Sequence, residues 1–97
     1  MMDTHEEEFA LMRGEFLRAA LREAEAAGGP SSWVRLKKVA GKLGVDLSGE
    51  AGPALERRYA EMAGHYRETG DLSDLEAVEG EEVVFRLTAQ GIAEAGG

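Results

Sequence analysis

Residues 82–91, Glu82-Val83-Val84-Phe85-Arg86-Leu87-Thr88-Ala89-Gln90-Gly91, are where the sequence changes period. Val83, Phe85 and Leu87 alternate with Glu82, Val84 and Arg86, the two-residue repeat of a strand with one buried face. The alternation then stops. Leu87 enters the core as the strand ends, Thr88 caps a short last helix through Ala95, and Gly91 lets that helix pack closely. Just upstream, Glu79-Gly80-Glu81 reads as a turn after an extended segment over 75–78. The two strands form a hairpin whose tip carries Glu79, Glu81 and Glu82.

Everything before the hairpin repeats at helical spacing. Phe9, Met12, Phe16 and Ala20, flanked by Leu17, Leu21 and Ala24, mark a long amphipathic helix over 5–27, begun by a Thr4–Glu7 capping box and stopped by Gly28-Gly29-Pro30. The glutamates at its start suit the positive end of the helix dipole. Trp33-Val34 forms a very short extended piece. A helix over 35–43 follows, with Leu36, Val39, Ala40 and Leu43 on one side, Arg35, Lys38 and Lys42 on the other and Lys37 toward a flank; Gly44 closes it. A loop over 45–53 leads to a third helix over 54–68, in which Leu55, Tyr59, Met62 and Tyr66 turn inward and Pro53 sits where a missing amide proton costs nothing. The expected core joins Leu36, Val39, Leu43, Leu55, Tyr59, Met62, Phe85 and Leu87.

This order, helix, short strand, helix, helix, strand, strand, helix, resembles the winged helix-turn-helix domain, a mostly α fold with a small β-hairpin, from about Phe9 to Ala95. Val34, Leu36, Val39, Ala40, Leu43, Gly44 and Val45 resemble the first half of the helix-turn-helix. The stretch Val84–Gly91 resembles the strand-to-helix exit of many regulators of this class, a Leu-Thr pair followed after two residues by glycine. The chain departs from that pattern in a longer link between Leu43 and the third helix and in an acidic wing tip. A weaker similarity, carried by Trp33, Val39, Gly44 and Tyr59, is to the AT-rich interaction domain, an all-helical fold that leaves the alternation at 82–87 unexplained. The winged-helix resemblance implies a DNA-binding transcriptional regulator acting as a homodimer. Its third helix would enter the major groove and its second would lie across the backbone, so Lys38 and Lys42 would meet phosphates and Arg57 would read a base.

Composition bounds these expectations. A chain of 97 residues makes a single winged-helix-like domain, 1–97, with ragged ends at 1–4 and 96–97. It has no cysteine and two histidines, which leaves no disulfide, no thiolate nucleophile and almost no raw material for a metal or haem site, so neither enzyme activity nor a cofactor is expected. No apolar run approaches a membrane span and the N-terminus is acidic, so the expected setting is the cytoplasm, with no membrane partner. Nineteen acids against eleven bases give a net charge of -8, the wrong sign for a protein that coats nucleic acid. The bases nevertheless concentrate in the middle: residues 31–70 hold seven against five acids, whereas residues 71–97 hold one against seven.

The candidate nucleic-acid surface is therefore Arg35, Lys37, Lys38 and Lys42, with Arg57 and Arg58 on the next helix. The competing function is an acidic protein-protein interaction or assembly module, since fold does not fix function. A continuous positive strip across the second and third helices favours nucleic acid; interruption by Glu56, Glu61 and Glu68 favours a protein partner. The first helix carries more apolar width than a small core needs, which nominates Phe9, Met12 and Phe16 as a homodimer interface, with Met12 able to adapt to either surface.

Overall fold

A computed structural model describes residues 4–78 and 82–96. The elements run α1 (Thr4–Ala27), β1 (Val34–Arg35), α2 (Leu36–Lys42), α3 (Gly52–Glu68), β2 (Leu72–Val78), β3 (Glu82–Leu87) and α4 (Ala89–Gly96), which is a winged-helix-turn-helix architecture. The expected acidic turn at 79–81 lies outside the described residues, as do residues 1–3 and 97 of the ragged ends and the Thr4 side chain of the capping box; Thr4 and Gly96 themselves belong to helices.

The helices end by the same device. In α2 the amide of Val45 donates to the Ala40 carbonyl and that of Gly44 to Gly41; in α3 Asp71 donates to Tyr66 and Gly70 to Arg67. These paired bonds satisfy carbonyls that the helix leaves over, and they need a left-handed residue, supplied by Gly44 at φ 81° and Gly70 at φ 94°. The chain thus turns sharply after each half of the helix-turn-helix.

The sheet is antiparallel in the order β1-β3-β2, with Val34 opposite Phe85 and Arg35 opposite Val84, and with Leu72 opposite Leu87 and Glu76 opposite Val84. β2 starts at Leu72, three positions before the expected 75, because the ladder contains an irregularity between Ser73 and Glu76. Asp74 sits there at φ 53°, a conformation that aspartate tolerates better than most residues, and its carboxylate accepts the Arg86 Nε–H at 3.0 Å. The Ser73-Asp74 pair has little strand propensity of its own, so pairing with β3 decides the conformation.

α1 is the centre of the fold. It packs against α2, α3, α4, β1 and β3, and the Phe16 ring lies 5.0 Å from that of Tyr66 and 5.8 Å from that of Phe85. Phe16 is 0% exposed and Phe9 5%, with Leu17, Ala20 and Ala24 also buried, and the Tyr66 hydroxyl donates to the Phe9 carbonyl. This corrects the dimer expectation for two of its three residues. Phe9 and Phe16 are covered by the chain's own core: the Phe9 ring lies 5.7 Å from that of His65 on α3, and Phe16 packs between Tyr66 of α3 and Phe85 of β3. Met12 is half-buried against the same core. Of the expected core, Leu43 is only partly buried and Leu55 lies outside the cluster, whereas Leu36, Val39, Tyr59, Met62, Phe85 and Leu87 are in it.

The last helix docks through its glycine. A Cβ at Gly91 would stand 2.2 Å from the Asp71 carbonyl oxygen, and the Gly91 amide donates to the Thr88 hydroxyl at 3.1 Å. The same hydroxyl donates to the Gly70 carbonyl at 2.6 Å. The Leu87-Thr88…Gly91 exit therefore locks the start of α4 to the end of α3.

Candidate interaction surfaces

Six cations were expected to share one surface, and the fold points them in different directions. Lys37 turns toward α3, where its Nζ lies 3.8 Å from a Glu56 carboxylate oxygen. Lys42 turns toward α1 and lies 3.3 Å from Glu23. Arg58, half-buried, pairs with Glu8 at the start of α1, and its Nε is buried without a partner. Arg35 and Lys38 turn toward a groove beside Trp33. Arg57 is exposed on α3 with no ion pair among the described residues. Lys38 and Lys42 are exposed on α2, but the acids Glu8, Glu23 and Glu56 that pair with Arg58, Lys42 and Lys37 come from other elements, α1 and α3.

The outward side of α3 is mixed in charge. Arg57, Glu61, Arg67 and Glu68 are all exposed along it. The loop leading into the helix adds exposed Asp46 and Glu50. Asp46 accepts the Ser48 amide at 2.9 Å and its hydroxyl at 2.5 Å, and these bonds hold its carboxyl below the ordinary range, so the loop keeps its negative charge.

Two features escaped sequence reasoning. One is the outer face of the sheet, where Trp33 is 44% exposed and the Arg86 guanidinium lies 5.0 Å from its ring centroid. The second is Asp71, the one buried charged residue among the described residues, at 0% exposure. Thr69 donates to Asp71 Oδ2 at 3.1 Å, Gln90 Nε2 donates to Oδ1 at 3.0 Å, and Arg13 Nε lies 3.5 Å from Oδ2. Glu94 shares a hydrogen bond with the same carboxyl, and this raises its pKa above the ordinary value. The junction ties α1, α3 and α4 together and is structural in character.

His65 is half-buried, with its ring 5.7 Å from Phe9 and 5.8 Å from Tyr66, a packing position. Among the described residues, no three His, Cys, Asp or Glu side chains are grouped to hold a metal ion, and no helix is long and apolar enough to cross a membrane. Compared with known proteins, the chain matches no family model, no curated protein and no solved structure.

Proposed function

We propose that the chain is a winged-helix interaction module that docks on a basic protein surface through α3 and the loop before it. The observation that carries this reading is the exposure of Glu61 and Glu68 on the outward side of α3, which interrupts the strip that Lys38 and Arg57 would need for duplex DNA. Asp46 and Glu50 extend the negative charge at the entry to that helix, and the net charge of -8 opposes approach to a polyanion at long range.

The test has two arms on the intact chain. A short arginine-rich peptide is expected to shift the backbone amides of Glu61 and Glu68 in an NMR titration, while fluorescent mixed-sequence duplexes stay unbound at about 50 μM protein in about 50 mM salt, conditions under which non-specific DNA binders associate. Micromolar duplex binding with a steep salt slope overturns the proposal.

The second reading, a homodimeric DNA-binding transcriptional regulator, is favoured by the fold itself and by exposed Arg57 and Lys38. In that case Arg57→Ala relaxes preference at one base pair, whereas Lys38→Ala and Lys42→Ala weaken all sequences alike. For pairing, α1 offers Leu11, 81% exposed, next to Met12. Sedimentation decides whether a second copy covers them.

A further inference from the structure

The outer face of the sheet forms a groove of about 650 Å³ between the C-terminal end of α1, β1, α2 and the hairpin. Its walls are mainly apolar: Ala26 and Ala27 on one side, Val34 and Val84 on the sheet, and the exposed indole of Trp33. That volume and lining are those of a site for a small organic molecule, in which a few charged groups fix the orientation.

The indole has a cationic neighbour within the protein. Arg86 covers it with its guanidinium, and Asp74 grips that guanidinium through Nε at 3.0 Å. The ring thus has Arg86 against it and also lines the groove. Charge at the rim is asymmetric. Of its two carboxylates, Glu23 is engaged by Lys42 at 3.3 Å, while Glu76 stands at the far side on β2. Lys38 is exposed and makes no ion pair among the described residues, and Arg35 lines the groove beside it, so the end of the groove at β1 and α2 is positive. An aromatic ring against Trp33 with a carboxylate directed to Lys38 satisfies both features; a cationic group at that end would meet the ammonium, and Glu76 lies across β3 from it.

We infer that this groove binds a small planar aromatic carboxylate, its ring against Trp33 and its carboxylate at Lys38. The inference is independent of what docks on α3. A ligand there would touch β1, α2 and both strands of the hairpin at once, and so would bear on the orientation of the wing.

The test uses three probes with one ring and different charge: indole-3-acetate, indole-3-acetamide and tryptamine. Binding is followed by NMR on the intact protein at the indole N–H of Trp33, the chain's single tryptophan, and at the amides of Ala26, Ala27 and Val84. Indole-3-acetate is expected to shift all four signals and to bind about two- to fivefold more tightly than the amide, with tryptamine the weakest, a ratio appropriate to one solvent-exposed charge contact. Lys38→Ala is expected to bring the acetate down to the level of the amide while leaving the amide unchanged, and Trp33→Ala to weaken both. Equal affinity for all three probes, or an acetate affinity untouched by Lys38→Ala, overturns the assignment of the anion. No shift of the Trp33 indole at about 5 mM probe overturns the site. Loss of peptide docking at α3 changes none of these outcomes, so failure here and failure of the docking proposal are separate results.

Discussion

The junction around Asp71 and the ion pairs on the helix surfaces both bring opposite charges together and do different things. Asp71 is wholly buried, so its carboxylate depends on the Thr69 hydroxyl, the Gln90 amide and the Arg13 charge for what water would otherwise supply. Lys37–Glu56 and Lys42–Glu23 lie where water and salt can replace either partner. A charge in this protein therefore specifies the fold where it is enclosed and shapes the surface field where it is not. Asp71→Ala is expected to cost about 3 kcal/mol of unfolding free energy, measured by urea denaturation, because it empties a buried position and removes the carboxylate that accepts from Thr69 and Gln90 and faces the Arg13 guanidinium. Asp71→Asn should cost less, since an amide oxygen still accepts from Thr69. Equal losses in the two variants would mean that the Arg13 charge contact, not hydrogen-bond satisfaction, holds the junction.

The next largest effect separates two glycines. Gly91→Ala places a Cβ 2.2 Å from the Asp71 carbonyl, a backbone atom that already accepts the Thr88 amide at 3.0 Å. The expected loss is about 1–3 kcal/mol, seen as a fall in melting temperature. Gly64, inside α3, has open space where its Cβ would go. Gly64→Ala should stabilise by about 0.5–1 kcal/mol through helix propensity alone. A destabilised Gly64→Ala variant would reveal a close neighbour on α3 in solution, as a docked partner or second copy would provide.

Much of this contrast was legible in the sequence, unevenly. The change of period at 82–87 and the Leu87-Thr88…Gly91 exit locate β3 and the start of α4, because alternation and capping are local. The tight approach expected at Gly91 is present for the same reason. Asp71 was not legible: Thr69-Gly70-Asp71 reads as a polar break, and nothing near it announces that Gln90 and Arg13 will enclose it. The burial of Phe9 and Phe16 also depends on distant elements, since α3 covers Phe9 and α3 and β3 together cover Phe16. For the cations the missing information was direction: helical period says which side chains face out, but not which acid from another element they meet.

A smaller, pH-dependent effect probes the rim of the Asp71 junction. The hydrogen bond with Asp71, then burial and the negative charge of Asp71, raise the Glu94 pKa against the opposing pull of Arg13. A raised carboxyl pKa means that the folded state binds more proton than the unfolded one between the two values. The associated stability is present at pH below the unfolded pKa of Glu94 and is lost as pH climbs through the folded one. Denaturation midpoints of wild type and Glu94→Gln are therefore expected to converge at acid pH and to separate toward neutral pH, with the variant the more stable. Parallel curves across that window would place Glu94 outside the junction.

The smallest effects belong to the surface pairs, and they complete the comparison. Lys42→Ala removes a contact to Glu23 in which the two side chains are 40% and 22% exposed, and Lys37→Ala removes one at 3.8 Å to Glu56. Each should change unfolding free energy by only about 0–0.5 kcal/mol, and by less as salt is added. Lys42→Ala has a second consequence. Glu23 lines the Trp33 groove, and without its lysine the carboxylate is left uncompensated beside Lys38. Stability should then hold nearly constant while indole-3-acetate binding weakens and tryptamine binding gains. The same substitution, read by urea and by ligand titration, thus tests whether a surface pair in this protein matters through the field it leaves and not through the free energy of folding. A loss of stability comparable with that of Asp71→Ala, without any change in probe preference, would erase the distinction between the two regions.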